Sequence, residues 1–263
     1  MTDVAAPAFA NAPVALARDG AVASLTVGQD DGARIRLTPA RLVAIAEAVE
    51  RINRDRDVAL LVIFGGRREF CIGADLDLLR EASGPEAERY LRLGQSTMAA
   101  LSACTVPTVA AVGGLALGGG FEFALACDLR WAHRRAAFGL PEVRSGVVPA
   151  WGATAALARE VPAALAWELL AGERISAQRA LDFGLVGRLF QGAAFEAEVV
   201  AAAKTLASLG RDALAGIKRI WNATLGDTEA AQAAERTVCL ARLGKVPRSA
   251  SAKLVRSNRG QCR

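Results

Sequence analysis

The sequence has few of the residues on which several common catalytic sites depend. Its 263 residues include one histidine, His133, and only 5% are aromatic. His133 stands beside three arginines in RWAHRRAAFG, which favours a solvated or turn position over the role of a catalytic base. No convincing Ser-His-Asp triad can be built around it, so hydrolysis by such a triad is not expected.

The cysteines lack the spacing of a disulfide framework or a metal site. They number five, and Cys71, Cys104 and Cys127 have apolar neighbours in the sequence. We therefore expect reduced thiols, a cytoplasmic location and no metal. Residues 1–20 lack the basic start and continuous apolar centre of a secretory signal, and we interpret them as a flexible N-terminal tail.

Long hydrophobic runs and clustered basic residues are also missing. Hydrophobic residues make up 52% of the chain, but no apolar run reaches the length of a membrane-spanning helix. The net charge is +5, yet the arginines are scattered and aromatic residues are few. Neither a membrane nor nucleic acid is therefore an expected partner, and a phosphorylated small molecule suits the modest positive charge better.

The most informative stretch of the sequence runs from Val106 to Glu142. The unbroken apolar run Val106–Val112 predicts a strand that is buried on both faces of a parallel sheet. The next segments are rich in glycine, which allows a ligand to approach the main chain closely. These glycines are Gly113, Gly114, Gly118, Gly119 and Gly120. The following segment, FEFALACDL, predicts a buried helix whose first turn presents free backbone N–H groups.

Two acids accompany this segment. Glu122 has apolar neighbours, so it is either a structural carboxylate, paired with a base such as Arg130 or accepting helix N–H bonds, or a chemical group. A carboxylate beside N–H donors in a dry pocket can help polarise a carbonyl and move a proton. The turn at Gly139 and Pro141 predicts that Glu142 lies opposite Glu122. One acid would then donate a proton while the other accepts one.

Four motifs resemble the enoyl-CoA hydratase/isomerase group, the crotonase superfamily, in order and approximate spacing. They are FCIGADL at Phe70–Leu76, VAAVGGLALGGGFEFALACDL at Val109–Leu129, AAFGLPEVRSGVVPAWGAT at Ala136–Thr154 and ISAQRALDFGLVGRLF at Ile175–Phe190. The resemblance implies an α/β fold, a crotonase-like spiral of ββα repeats with a C-terminal helical region. It implies a spiral core at residues 21–200 and a helical trimerisation region at 201–263.

Local patterns predict several elements independently of the resemblance. A hairpin is expected around Asp19 and Gly20, and a helix is expected to begin with Thr38 as its cap. The apolar run 58–64 predicts another buried strand. Further helices are predicted at 163–171, 177–183, 195–209, 211–225 and 228–243.

The resemblance also implies a site. The backbone N–H groups of Ala74 and Gly119 would hold a thioester carbonyl oxygen, which stabilises the enolate formed during reaction. Ala74 and Gly119 would also bind substrate, together with Asp75 and Leu76.

The implied catalytic residues are Glu122 and Glu142, in an enzyme that adds water across a 2-enoyl-CoA thioester. Glu122 would position and activate the water, and Glu142 would exchange the proton at the carbon next to the carbonyl. No cofactor is implied, because coenzyme A is part of the substrate. The implied partners are an acyl-CoA thioester and further copies of the chain, as a homotrimer or a dimer of trimers.

Other members of this superfamily remain alternatives. Double-bond isomerisation, or a biosynthetic dehydration or decarboxylation, could use one acid. A non-enzymatic acyl-CoA-binding or scaffold protein could retain the fold without turnover. Asp77 stands where many relatives carry a basic residue, which leaves a carrier-protein thioester open as the substrate.

Overall fold

The computed structural model describes residues 14–28, 34–66, 68–75, 78 and 84–224. These residues form twelve strands, eight α-helices and one 3-10 helix, which is Pro141–Ser145. The strands β1–β12 are Ala15–Asp19, Val22–Thr26, Arg36–Leu37, Leu60–Phe64, Glu69–Cys71, Gly73–Ala74, Thr108–Val112, Leu115–Leu117, Leu129–His133, Ala137–Gly139, Arg174–Ser176 and Arg188–Phe190. The helices α1–α8 are Pro39–Arg54, Gly84–Ser102, Gly119–Leu125, Ala153–Glu160, Ala163–Leu170, Ala177–Asp182, Phe195–Ala207 and Arg211–Thr224.

Three sheets organise the strands. The six-stranded sheet has the order β1-β2-β4-β7-β9-β12, and it is parallel except for the β1–β2 hairpin. The four-stranded sheet has the order β11-β10-β8-β5, and β3 pairs with β6 in a separate two-stranded sheet. β4 and β7 are buried along their whole lengths, as the apolar runs predicted.

The chain repeats one path between the two larger sheets. It passes from β4 to β5 and then α2, from β7 to β8 and then α3, and from β9 to β10 and then the 3-10 helix and α4. Each repeat places one strand in the six-stranded sheet and the next strand in the four-stranded sheet. The predicted fold class, a spiral of ββα repeats followed by helices, is confirmed.

The predicted elements before and after the repeats are largely present. α1 begins after Thr38, whose side chain accepts the N–H of Arg41 at 3.3 Å, with Pro39 in the first helical position. The helices predicted near residues 163, 177, 195 and 211 correspond to α5, α6, α7 and α8. The helix predicted at 228–243 lies outside the described residues.

The prediction that the segment FEFALACDL is helical to its end is wrong. α3 begins in the glycines, at Gly119, and ends at Leu125, and the chain then enters β9. Asp128 lies between these elements, and its Oδ2 accepts the N–H of Thr108 at 2.7 Å and the hydroxyl of Thr108 at 2.9 Å. This side-chain pairing joins the segment before β9 to the first residue of β7.

His133, the last residue of β9, is buried rather than solvated. Its side chain is 6% exposed, and Nδ1 accepts the N–H of Arg135 at 3.1 Å. The ring meets Phe195 edge to face, and burial lowers its pKa. The expectation of a solvated position was therefore wrong.

The chain divides into two compact units, of which the first ends at Ala215 and the second begins at Gly216. The boundary falls within α8. The predicted limits 1–20, 21–200 and 201–263 stay predictions. None of the helices in the described part of the chain combines the length and the hydrophobicity that a membrane-spanning segment needs.

Candidate active site

The turn between β8 and α3 presents a backbone N–H at the start of a helix. Gly118 adopts φ 55°, a conformation that disfavours any residue with a side chain, and its N–H donates to the Gly139 carbonyl at 2.9 Å. Gly119 is the first residue of α3. Its N–H therefore belongs to the first turn, where helix geometry supplies no acceptor for it.

Ala74 lies beside this helix start. A β-carbon added to Gly119 would be 3.2 Å from the Ala74 nitrogen, and one added to Gly73 would be 2.8 Å from the Gly119 nitrogen. The main chain of β6 therefore approaches the start of α3 closely, and the two amides predicted to bind an oxygen are neighbours.

The other two predicted substrate-binding residues follow Ala74. The carboxylate of Asp75 forms an ion pair with Arg36 at 3.2 Å, and the backbone N–H of Asp75 donates to the Tyr90 hydroxyl at 2.9 Å. Leu76 lies outside the described residues.

Glu122 lies in the first turn of α3 and is 4% exposed. Its Oε1 accepts the N–H of Trp151 at 2.7 Å and the N–H of Ala153 at 3.1 Å. Burial raises the pKa of Glu122, and these N–H groups act in the opposite direction. These donors thus belong to the loop before α4 and to the first residue of α4, rather than to the helix of Glu122 itself.

The suggested pairing of Glu122 with Arg130 is wrong. Arg130 is buried, and its guanidinium binds the carboxylate of Glu160 and the carbonyls of Cys127 and Leu185. Arg130 therefore binds other groups, and the carboxylate of Glu122 accepts its hydrogen bonds from uncharged backbone N–H groups.

Glu142 lies in the 3-10 helix and is half-buried. Its Oε2 is buried and has no hydrogen-bond partner among the residues that the structure describes. Burial, supplemented by the nearby charge of Glu122, raises the pKa of Glu142 to about 7. The structure therefore brings the two predicted acids close to each other, and one of them, Glu142, has an oxygen to which no described residue forms a hydrogen bond.

The indole of Trp151 fills the space between α2 and α3. A β-carbon on Gly119 would be 2.5 Å from Cζ3 of this ring, and one on Gly94 would be 2.2 Å from Nε1. Trp151 is 5% exposed, and its Nε1 has no partner among the described residues. The ring thus forms one wall beside the Gly119 amide.

Sequence reasoning missed Tyr90 and Gly94, which lie on the same face of α2. Tyr90 is the only tyrosine of the chain, and Gly94 is an isolated glycine within a helix. An isolated helical glycine can indicate a close approach by another group. The sequence therefore contained a signal at Gly94, but it did not indicate that the approaching group is Trp151.

No group of three or more His, Cys, Asp and Glu side chains that could hold a metal ion occurs within the described ranges. The two neighbouring backbone amides, together with buried Glu122 and half-buried Glu142, form an arrangement that is suited to acid–base chemistry at a polarised carbonyl.

The chain belongs to the enoyl-CoA hydratase/isomerase family, whose model matches residues 36–250. It is 39% identical over 172 residues to a crotonyl-CoA hydratase of Syntrophomonas wolfei, a match that covers 65% of this chain and 66% of that protein. It is 38% identical over 197 residues to a probable enoyl-CoA hydratase of Bacillus subtilis, with 74% of each chain covered.

Solved structures show the same relationship. An enoyl-CoA hydratase from Bacillus anthracis has a TM-score of 0.85 at 26% identity, covering 94% of this chain and 96% of that one. An enoyl-CoA hydratase from Polaromonas sp. JS666 has a TM-score of 0.82 at 30% identity, covering 94% and 97%. The resemblance drawn from the four motifs, and with it an enzyme of the enoyl-CoA hydratase type, is confirmed.

Proposed function

We propose that this chain adds water across the double bond of a 2-enoyl-CoA thioester, with Glu122 and Glu142 as its catalytic acids. The observation that carries the proposal is the buried Oε2 of Glu142, which has no hydrogen-bond partner in the described part of the chain and lies close enough to Glu122 to be affected by its charge. An acid with a pKa near 7 and a free oxygen can both give and take a proton at neutral pH.

The N–H groups of Ala74 and Gly119 would receive the thioester carbonyl oxygen. Their close approach supports this role, because an enolate oxygen is stabilised best by two donors that are already in place. One such donor is worth about 3 kcal/mol of barrier in comparable sites. Asp75 and Leu76 remain proposed substrate contacts that follow Ala74 in the chain.

The two acids would divide the proton transfers. Glu122, which accepts two N–H bonds, takes a proton from water as the water oxygen bonds to C3. The C2–C3 π electrons move toward the thioester oxygen and form an enolate. Glu142 then delivers its proton to C2 as the carbonyl re-forms, and a proton passing from Glu122 to Glu142 restores the starting state.

This chemistry requires no metal, redox group or other cofactor, because the amides polarise the carbonyl and the acids carry the protons. Coenzyme A would enter and leave as part of the substrate. A homotrimer or a dimer of trimers, and a cytoplasmic location, also remain predictions. The oligomer rests on the family resemblance. The location rests on Cys71, Cys104 and Cys127, which are buried and form no disulfide within the described residues.

Product analysis separates the alternatives. Purified protein is incubated with crotonyl-CoA and, separately, with 3-hexenoyl-CoA. The thioesters are separated by chromatography alongside standards of both hexenoyl-CoA isomers, which have the same mass, and hydrated products are identified by mass spectrometry. We expect 3-hydroxybutyryl-CoA, which is heavier than crotonyl-CoA by one water. Conversion of 3-hexenoyl-CoA to the 2-enoyl isomer without hydration of either thioester would identify an isomerase. Saturable binding of both thioesters without any conversion would identify a binding protein.

A further inference from the structure

We propose that Tyr90 is a positioning residue for both backbone donors of the carbonyl-oxygen site, an inference that rests on the proposed function. The hydroxyl of Tyr90 holds the main chain on the Ala74 side, and its ring supports the Gly119 side through Trp151. One side chain of α2 thus controls the relative position of two amides that belong to different ββα repeats.

The Ala74 side depends on the hydroxyl. Tyr90 is 3% exposed; its Oη accepts the N–H of Asp75 at 2.9 Å and donates to the carbonyl of Leu37. Leu37 is the residue opposite Ala74 in the β3–β6 pair. Each of these strands has only two residues, so few backbone hydrogen bonds hold the pair. The hydroxyl bridges the strands and fixes the peptide that follows Ala74.

The Gly119 side depends on the ring. The rings of Tyr90 and Trp151 meet edge to face, with centroids 5.7 Å apart and an interplanar angle of 88°. Trp151 lies directly against Gly119, and its own backbone N–H donates to Glu122. Tyr90 and Gly94 are one helical turn apart, so α2 supports the indole with the Tyr90 ring and accommodates it at Gly94.

The hydroxyl keeps its proton under ordinary assay conditions, because burial raises the pKa of Tyr90 to about 12. It can therefore donate and accept at the same time. Replacement by phenylalanine would keep the ring contact with Trp151 but leave the N–H of Asp75 and the carbonyl of Leu37 without this partner. The Ala74 amide would then lose its fixed direction while the Gly119 amide kept its support.

Carbonyl polarisation distinguishes a positioning role from general support of the fold. The test measures the infrared C=O stretch of butyryl-CoA labelled with ¹³C at the carbonyl, bound to wild type and to Tyr90→Phe, together with kcat and KM for crotonyl-CoA. The matched control is Thr97→Val, which removes another buried hydroxyl of α2 that bonds to the carbonyls of Leu42 and Leu93.

We expect wild type to lower the C=O frequency relative to free butyryl-CoA, and Tyr90→Phe to lower it less. We also expect kcat to fall about tenfold or more in Tyr90→Phe while KM changes less than about twofold, because the lost interaction belongs to the transition state. Thr97→Val should keep the wild-type C=O frequency. A wild-type C=O frequency and kcat in Tyr90→Phe would overturn the inference and leave the proposed function intact. Failure of wild type to lower the frequency would overturn the proposed carbonyl-oxygen site itself.

A second measurement, on labelled wild-type protein, tests the inference if Tyr90→Phe does not fold. Because the chain has one tyrosine, growth on 3-fluorotyrosine labels position 90 alone and retains the hydroxyl. We expect the ¹⁹F resonance to shift on addition of butyryl-CoA and to stay unchanged with coenzyme A alone. An unchanged resonance with bound butyryl-CoA would contradict a link between Tyr90 and the carbonyl-oxygen site.

Discussion

The carboxylate of Glu142 lies against Gly118, so closely that a β-carbon on Gly118 would be 2.9 Å from Oε1. Gly118→Ala would therefore displace the proposed proton donor and also force alanine into φ 55°. We expect kcat for crotonyl-CoA hydration to fall at least about tenfold, with a loss of about 1–3 kcal/mol in the free energy of unfolding. Steady-state kinetics and urea denaturation measure the two effects.

Gly184→Ala is the matched control, since Gly184 has φ 78° and no heavy atom within 4 Å of an added β-carbon. It should lose stability through backbone strain but keep kcat. An equal loss of kcat in both variants would show that strain, rather than contact with Glu142, limits turnover.

The raised pKa of Glu142, about 7, predicts a loss of activity on the alkaline side of neutral pH. Hydration needs protonated Glu142, so kcat/KM for crotonyl-CoA should fall as the pH rises above about 7. Dehydration of 3-hydroxybutyryl-CoA starts from an enzyme with the same number of protons, because Glu122 then carries the proton, so its kcat/KM should fall over the same pH range. Initial rates measured in both directions from pH 5 to 9 test this; a kcat/KM for crotonyl-CoA that stays constant from pH 6 to 9 would contradict the assignment.

The convergence of the two acids was predictable from sequence, but the way they are held was not. The turn at Gly139 and Pro141 indicated that Glu142 returns to the start of α3. The donors to Glu122 are the N–H groups of Trp151, in the loop before α4, and of Ala153, the first residue of α4. Local periodicity says nothing about such contacts, because they depend on where a distant segment packs.

The wrong prediction for the segment after α3 has a similar cause. Arg130 is buried within β9 because Glu160 and two backbone carbonyls satisfy its guanidinium. A basic residue flanked by Asp128 and His133 does not display the apolar pattern of a buried strand. Strands of two or three residues, such as β6 and β8, are likewise too short to have a detectable period.

The contact between Gly94 and Trp151 predicts a second effect on catalysis. In Gly94→Ala, the added methyl group would meet Cε2 of the indole at 2.1 Å, so the ring must move. We expect a loss of about 1–3 kcal/mol in the free energy of unfolding, the usual cost of overpacking. We also expect a lower kcat, because the backbone of Trp151 holds Glu122.

Gly84→Ala provides the comparison on the same helix, since an added β-carbon there meets nothing within 4 Å. Urea denaturation and crotonyl-CoA kinetics should show no loss in this variant. Wild-type stability and kcat in Gly94→Ala would mean that the indole is free to shift without consequence.

The ion pair between Arg130 and Glu160 should support the fold rather than the chemistry. Arg130→Met would leave Glu160 and two carbonyls without their donor, and we expect a loss of about 3 kcal/mol in the free energy of unfolding. Arg179→Met breaks a pair whose side chains are both 43% exposed, and it should cost less than about 1 kcal/mol. Equal urea midpoints for the two variants would contradict a special role for burial.

The most direct test of the two-acid mechanism compares hydration of crotonyl-CoA by wild type, Glu122→Gln and Glu142→Gln at pH 7. The amides retain the size of the side chains but remove their capacity to exchange a proton. We expect kcat to fall about a hundredfold or more in each variant, the usual scale for general acid–base groups, while both proteins remain folded by circular dichroism. Wild-type turnover in both variants would contradict the mechanism.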